Sequence, residues 1–397
     1  MNFVVFSYSF PPQSGPESFC AARFCSAIAD SGHMVHVVTM EHPAEVSQEI
    51  VRQLVSPALK ISRVPIRRTR KHVWSRLRYL TTEWGSGNFG AAIDTLASVL
   101  RQYENPILVS RSFPESSHVI SYYARRLAKK WIAHFSDPIP FVFGKDDTIK
   151  GWLWRKVSER WMRRVIKSCD AVSLTCNDAK RFYHETYGAL FDAKTVLVNR
   201  HIGNPPLKAG GDWNRTFSEK LIVHSGGLNV ARGAREIVSA LDAINGDGVK
   251  VRFIQAGSCD QETRMLFSGR PDAEVFDALQ PGLASDVVAA CDVSLISDVQ
   301  VPMDYTPFMP SKFVYQLFSD KPLVLYSKPG SPMWRAAEKY PSAGLFLADY
   351  TIPATLPSAI KRAVNAVFDA NMRDCLRREF DKQTVAEHFV SQLDRVL

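Results

Sequence analysis

Short apolar strands alternate with amphipathic helices along this chain, and that alternation restricts the fold more than any other feature. Residues 2–8 are typical of a buried strand, residues 17–31 of a helix with one apolar face, and residues 34–39 of a second strand. Two strands of one sheet joined by a helix run parallel, with a right-handed crossover. The pattern therefore predicts an α/β protein built on parallel sheets.

The same alternation returns in two halves, separated by residues 198–213, which are rich in Asn, Gly and Pro. The remaining predicted strands are 107–110, 131–135, 171–175, 221–224, 251–255, 292–296 and 322–326, and the helices are 122–130, 152–167, 178–187, 232–244 and 311–318. We predict two doubly wound, Rossmann-like domains over residues 1–203 and 204–375, facing across a ligand cleft. A C-terminal helix over 376–397 is expected to return to the first domain.

Composition narrows the class of protein. With 46% hydrophobic and 22% charged residues, the chain is neither disordered nor collagen-like. The net charge of +9 is uneven, because residues 1–200 hold 28 basic and 17 acidic side chains, against 21 and 23 in the rest. The seven cysteines have no metal-ligand spacing, and no signal peptide or membrane span is visible. We expect a cytoplasmic protein without a bound metal.

Four segments carry a resemblance to a known family. They are FPPQSGPES with GHMVHVVT, then IAHFSDP, SGGLNVARG and PSKFVYQLFSDKPLV. Together they resemble, in the same order, landmarks of glycosyltransferase family 4, whose members have the two-domain GT-B fold. The resemblance spans roughly residues 1–345. It implies transfer of a sugar from a nucleotide diphosphate sugar to an acceptor, with retention at the anomeric carbon and without a metal.

A diphosphate leaving group gathers negative charge, so a site without a metal needs cations and backbone N–H groups aimed at the phosphates. Arg232 stands at a predicted helix start where the family usually has Lys, and Gly227 replaces a family Arg. Lys312 follows Pro310 and Ser311 at a second helix start. The predicted donor-binding residues are Gly15, Gly227, Arg232, Gly257, Ser311, Lys312 and Tyr315.

The acidic pair of the family is missing. Many members have Glu-x7-Glu, whose first Glu touches the donor sugar and whose second touches the ribose, and alignment puts Pro307 and Tyr315 at those positions. The Tyr315 phenol can still bond a ribose hydroxyl, whereas Pro307 has no polar side chain. We predict that His134, Asp137 and Asp304 are catalytic, although a strand histidine such as His134 also fits a structural role.

Basic residues and tryptophan occur together in two segments of the first half, 66–84 and 152–167. This mixture is typical of an interfacial membrane site. The predicted acceptor or membrane surface comprises Arg67, Arg68, Arg70, Trp74, Trp154 and Trp161. A polyanionic acceptor and simple packing of the two later tryptophans on the sheet remain alternatives. No nucleic-acid-binding motif accompanies the charge.

The sequence therefore favours a hexosyltransferase-type glycosyltransferase acting on a lipid-linked glycan in polysaccharide assembly, peripheral on the inner membrane face. Two other functions stay open. The missing Glu pair and Gly227 also fit a catalytically silent GT-B binding subunit. A sugar-nucleotide epimerase shares the fold, but it needs acidic and His groups that the sequence alone does not place.

Overall fold

The computed structural model describes residues 1–66, 89–140, 149–208, 213, 215, 217–277 and 279–397. Its contacts divide the chain into two compact units. Unit one comprises Met1–Ile202 with Lys382–Leu397, and unit two comprises Gly203–Asp381. Each unit holds one parallel sheet with helices packed against it.

The sheet of unit one has seven strands in the order β3-β2-β1-β4-β5-β6-β7, and every pair is parallel. The strands are β1 Asn2–Ser7, β2 Met34–Glu41, β3 Lys60–Pro65, β4 Ile107–Ser112, β5 Lys130–Phe135, β6 Ala171–Leu174 and β7 Thr195–Val198. The helices are α1 Pro16–Asp30, α2 Gln48–Leu54, α3 Phe89–Leu100, α4 Ser116–Ala124, α5 Ile149–Ser168, α6 Asp178–Tyr187 and α7 Ala189–Asp192. Central strands such as β1 are buried on both faces, which explains their nearly continuous apolar sequence.

The sheet of unit two has six strands in the order β10-β9-β8-β11-β12-β13, again all parallel. The strands are β8 Lys220–Ser225, β9 Val251–Ala256, β10 Ala273–Phe276, β11 Val293–Ser297, β12 Leu323–Ser327 and β13 Leu345–Asp349. The helices are α8 Ala234–Gly246, α9 Gln261–Phe267, α10 Pro281–Ala290, α11 Ser311–Gln316, α12 Pro332–Lys339, α13 Thr355–Val364 and α14 Ala370–Arg378. The last helix of the chain, α15 Lys382–Gln392, belongs to unit one.

The predicted α/β class with two parallel sheets is confirmed, and the predicted strands match those observed to within about two residues. The helix expected over 122–130 was wrong, because α4 ends at Ala124 and a 3-10 turn follows over Arg125–Leu127. The four strands that the prediction omitted, β3, β7, β10 and β13, are the outer strands of the two sheets. They are only partly buried, and β3 and β10 lack a long apolar run, whereas β7 (TVLV) and β13 (LFLAD) have short apolar runs that the prediction did not assign to strands.

The chain passes from unit two to unit one at Lys382 rather than at residue 376, which differs from the predicted boundary. Leu376 and Phe380 are buried in the core of unit two and hold this segment there. In α15, Phe389 is buried against Phe24, with ring centroids 5.0 Å apart.

The α14 helix is held in unit two by a buried guanidinium. Arg373 is fully buried, and its three nitrogens donate to the carbonyl oxygens of Ala343, Leu317, Ser319, Lys321 and Gly344. Burial lowers the pKa of Arg373 to about 10, so the group stays charged at neutral pH. The carbonyls of Leu317 and Ser319 also accept from Arg377, and that of Gly344 from the Leu323 N–H, so among the described residues the acceptors served by Arg373 alone are Ala343 and Lys321.

Replacing Arg373 with Met should lower the free energy of unfolding by about 3 kcal/mol, because the Ala343 and Lys321 carbonyls lose their donor and three further hydrogen bonds of the helix are lost. Chemical denaturation followed by circular dichroism measures the change. The control is Arg378→Met in the same helix, where the side chain is exposed and the expected change is within about 0.5 kcal/mol. Equal midpoints for Arg373→Met and the wild type would contradict the assignment.

Candidate functional site

Polar residues gather at the carboxyl ends of three neighbouring strands in unit two. In a parallel sheet these ends share one edge, and ligands of open α/β sheets bind there. His224 lies near the end of β8 and Gln255 near the end of β9, and Asp298 follows directly after β11. All three side chains are buried, so their polar atoms depend on partners inside the protein.

Two glycines let the loops after β8 and β9 approach each other. Gly257 has a φ of +144°, and a Cβ atom there would lie 2.6 Å from the Gly226 carbonyl oxygen. Gly226 itself has a φ of +94°. At Gly227 a Cβ would meet only Ser258 Oγ, at an ordinary 3.5 Å. The backbone therefore requires glycine at Gly226 and Gly257 but not at Gly227. Gly257 thus has a structural role in addition to its predicted contact with the donor.

The hydrogen bonds of Gln255 determine which His224 nitrogen carries the proton. Gln255 Nε2 donates to the carbonyl oxygens of Gly226 (2.6 Å) and Gly257 (3.2 Å), which leaves Oε1 as the acceptor for His224 Nδ1 at 2.7 Å. His224 Nε2 then presents a lone pair to Lys312 Nζ, 3.1 Å away. Burial, and after it the charge of Lys312, holds the pKa of His224 well below its usual value, so the ring is neutral.

Lys312 and Arg232 bring two cations to this edge. Burial lowers the pKa of Lys312 well below its usual value, and the charge of Arg232 lowers it further. Arg232 Nη1 donates to the Ser297 carbonyl at 3.2 Å, and the Ser297 hydroxyl donates back to the Arg232 carbonyl. Each cation disfavours the charge of the other, so an oxyanion between them would favour both.

Asp298 is the acid of this cluster. Its carboxylate accepts from Ser327 Oγ at 3.0 Å and from the Val299 N–H at 2.9 Å. Burial raises the pKa of Asp298 to about 6, although Ser327 and Arg232 act in the opposite direction. Asp304, the acid predicted from the sequence, is exposed. Its catalytic role stays a prediction.

Sequence reasoning predicted Arg232 and Lys312 but left His224 and Gln255 without a role. The available signal was a polar residue at the end of an apolar strand, in LIVHS and RFIQA. The two other predicted residues of α11, Ser311 and Tyr315, are half-buried. Gln316 anchors this helix by donating to Ser225 Oγ at 2.6 Å.

In unit one, the predicted catalytic His134 lies inside the protein and is 1% exposed. Its Nδ1 is 2.9 Å from Ser173 Oγ, and its ring stacks on Phe24 with centroids 6.4 Å apart. Burial holds its pKa well below the usual value. His134 packs between the sheet and α1, which fits the structural alternative, and its catalytic role stays a prediction.

The other predicted residues of unit one lie nearer the surface. Gly15 precedes α1 with a φ of +131°, a conformation that requires glycine. Asp137 follows β5 and is half-buried. Both are at the carboxyl edge of the sheet, where ligands of such sheets bind.

The predicted acceptor surface needs correction. Trp161 is 3% exposed and packs edge-on against Tyr122 and Tyr123, so it belongs to the core and not to a membrane surface. Trp154 is half-buried. Arg67, Arg68, Arg70 and Trp74 lie outside the described residues.

The exposed apolar side chains of α5 are instead those of its first turns. Ile149 is 87% exposed, and Trp152 and Leu153 are each 55% exposed. Among the described residues, no helix combines the length and apolar character needed to cross a bilayer. The same residues contain no group of three or more His, Cys, Asp or Glu side chains placed to hold a metal ion.

The raised pKa of Asp298 predicts a pH-dependent stability. Between its ordinary pKa of 3.8 and about 6, the folded chain keeps a proton that the unfolded chain releases, so stability falls as pH rises through this window. Asn does not ionise. The free energy of unfolding of Asp298→Asn, measured relative to that of the wild type, should therefore increase by about 3 kcal/mol between pH 3.5 and pH 7. Denaturant titrations at both pH values test this, with exposed Asp304→Asn as the control. A constant difference would refute it.

No model of a known protein family matches this sequence, and no curated protein matches it significantly. Among solved structures, a trehalose-6-phosphate synthase studied for glycosyl transfer with retention superposes with a TM-score of 0.65, at 13% identity over 100% of both chains. TarM gives a TM-score of 0.68, at 8% identity over 99% of this chain and 98% of its own.

Two further solved structures share the architecture. The catalytic domain of starch synthase IV from Arabidopsis thaliana, bound to ADP and acarbose, gives a TM-score of 0.66 at 10% identity over 100% of this chain and 99% of its own. A putative UDP-N-acetylglucosamine 2-epimerase from Listeria monocytogenes gives a lower TM-score of 0.56, at 11% identity over 99% and 95%. At these identities the likeness establishes the architecture alone, and this chain has the GT-B fold.

Proposed function

We propose that this chain is a glycosyltransferase that moves a hexosyl group from a nucleotide diphosphate sugar to an acceptor, in the manner of family 4. The proposal is carried by the pair Lys312 and Arg232 at the carboxyl edge of the second sheet. A lysine whose pKa is lowered beside an arginine regains its charge when an oxyanion arrives. A diphosphate supplies that oxyanion.

The cluster around Lys312 would act on the leaving group. As the bond to the sugar breaks, charge accumulates on the diphosphate, and the two cations would stabilise it. His224 Nε2 accepts from Lys312 Nζ and so limits the rotation of the amine. Because Gln255 in turn holds His224, the position of the amine is set before the ligand binds.

We further propose that transfer needs no metal and proceeds with retention. Two cations would neutralise the diphosphate without a metal, and in a retaining reaction the departing phosphate can itself accept the acceptor's proton. Asp137 and Asp304 remain the proposed catalytic carboxylates. The GT-B fold shared with a synthase studied for transfer with retention supports this reading.

Replacing Arg232 with Ala should weaken binding of the preferred nucleotide diphosphate about 10- to 100-fold, because a charge-assisted hydrogen bond to phosphate contributes about 1.5–3 kcal/mol. Calorimetric titration with UDP, GDP, ADP and dTDP measures this and identifies the base. The matched control is Arg235→Ala, which removes an exposed arginine paired with Glu262 in the first turn of α8, three residues after Arg232. Equal affinities for the two variants would argue against the site.

A turnover assay distinguishes a glycosyltransferase from a silent binding subunit and from an epimerase. Purified chain incubated with UDP-, GDP- and dTDP-sugars should consume the donor only when membrane extract supplies an acceptor. Nucleotide binding without turnover would support a silent binding subunit. Release of an epimerised sugar nucleotide in the absence of acceptor would support an epimerase, whose fold is also related. If the chain neither binds a nucleotide diphosphate nor consumes a donor, the proposal is refuted.

For the acceptor, we propose a lipid-linked glycan intermediate of polysaccharide synthesis, met at the inner membrane face. The first turns of α5 expose Ile149, Trp152 and Leu153. Exposed basic residues follow on the same helix at Lys156, Arg160, Arg163, Arg164 and Lys167. The apolar side chains would insert into the bilayer, and the basic side chains beside them would contact anionic headgroups. Together they would dock the chain reversibly on the membrane.

The double substitution Trp152→Ser and Leu153→Ser should reduce binding to vesicles at least tenfold, because each buried side chain contributes about 1.5–3 kcal/mol. Cosedimentation with vesicles of phosphatidylcholine plus phosphatidylglycerol measures it. Met265→Ser, which changes an exposed apolar residue of unit two, is the control. If the wild type stays in the supernatant with these vesicles, membrane docking is excluded.

A further inference from the structure

A buried arginine in unit one lacks hydrogen-bond partners. Arg111, near the carboxyl end of β4, is 3% exposed, and its guanidinium carbon lies 4.7 Å from the centre of the Phe24 ring. Within the described residues, its Nε and Nη1 atoms are buried and have no acceptor. A buried cation whose N–H groups are unmatched is strongly destabilising, so this arrangement indicates a missing oxyanion.

The carboxyl group of Glu17, in the first turn of α1, does not supply that anion. Ser136 Oγ lies 2.5 Å from the Ser112 carbonyl oxygen and 2.9 Å from Glu17 Oε2. Ser136 Oγ donates to both acceptors, so the hydroxyl shares its one proton between the Ser112 carbonyl and the Glu17 carboxyl. The shorter bond goes to the carbonyl, so Ser136 stabilises the Glu17 carboxylate only in part.

The surroundings of Glu17 favour its protonated form. Burial, the Cys20 thiol and Asp137 raise the pKa of Glu17 to about 8, while Arg111 and the Ser136 hydrogen bond act in the opposite direction. At neutral pH the carboxyl is thus uncharged. The nearby Asp137 forms no hydrogen bond to Nε or Nη1 of Arg111. The positive charge of Arg111 is left for a ligand.

The location suits an anion. Arg111 is paired in register with Ser7 of β1 and His134 of β5, so these three side chains share the sheet face that α1 covers. α1 is fifteen residues long and begins directly after Gly15, at the same edge of the sheet. The N-terminal end of such a helix attracts negative charge.

We propose that Arg111 and the start of α1 form a second anion-binding site, in unit one, for a phosphate or carboxylate group of a ligand other than the nucleotide. Loss of the Glu17 proton would produce a carboxylate that competes with the ligand for Arg111. If the proposed transferase function holds, that group belongs to the acceptor, which would make the acceptor anionic. The site itself requires only that an oxyanion reach Arg111, so it can be tested without turnover.

Thermal unfolding of the full chain tests the site, with sulfate as the tetrahedral probe and acetate as the carboxylate probe. The Arg232→Ala background removes the proposed diphosphate site of unit two, so that a failure here is distinct from a failure of nucleotide binding. Millimolar sulfate or acetate should raise the midpoint by about 2–4 °C in this background. The probe that gives the larger shift identifies whether the site prefers a tetrahedral anion or a carboxylate. Failure of both probes to shift the midpoint overturns the proposal.

Adding Arg111→Met should abolish this shift. The control is Arg125→Met, which removes an arginine that also stacks on a ring, 3.8 Å from the centre of Tyr122, and should keep the shift. Without added anion, Arg111→Met should be at least as stable as its parent, because Met fills similar space and leaves no cation unpaired. A retained shift, or a marked loss of stability, would mean that Arg111 is structural.

Glu17→Gln gives a test that does not depend on folding of the Arg111 variant. Above pH 8 the Glu17 carboxylate forms and competes for Arg111, so the sulfate shift in the parent should shrink between pH 7 and pH 9. Sulfate stays fully ionised over this range, and Gln cannot ionise, so Glu17→Gln should keep the shift. Arg111, Cys20, Asp137 and Ser136 are the groups facing this carboxyl. The same decline in both chains would overturn the assignment.

Discussion

Parallel strand direction is the constraint on which both units depend. Every strand pair described in the two sheets is parallel, so each strand must be joined to the next by a connection that crosses back over the sheet. All carboxyl ends therefore collect at one edge of each sheet. Polar side chains that follow apolar strands meet there, although they are far apart in sequence. His224, Gln255 and Asp298 come together in this way.

Both edges hold positive charge that the chain leaves incompletely neutralised. In unit two, Lys312 and Arg232 disfavour each other's charge, and the acid beside them, Asp298, is itself buried. In unit one, Nε and Nη1 of Arg111 have no acceptor within the described residues, and burial raises the pKa of the neighbouring Glu17 to about 8. Burying such charge lowers stability, and an oxyanion ligand would recover that free energy. The two edges are therefore suited to anionic ligands for the same electrostatic reason.

The absence of the family's acidic pair has a different meaning in the light of the tertiary structure. Tyr315 and Pro307 stand at the expected Glu positions. The buried acid of the second sheet edge is Asp298, which follows the neighbouring strand β11. Its two oxygens already accept hydrogen bonds from Ser327 and Val299, so it shapes the edge rather than copying the missing Glu.

The sequence by itself determined the central strands, their order along the chain, the division into two units and the two cations at helix starts. Apolar runs, glycine positions and helix starts are local properties, so they can be read without the fold. The edge strands β3 and β10 were not predicted because these partly buried strands lack long apolar runs, and the short runs of β7 and β13 were not assigned to strands.

Only the tertiary structure decided which polar residues are buried together. Register places Arg111 beside His134 and Ser7, and both His134 and Trp161 are buried. Hydrogen-bond geometry assigns the proton of His224 to Nδ1. Burial and register depend on residues distant in sequence. A pattern read along the chain can therefore predict that a polar residue ends a strand, but not what it meets there.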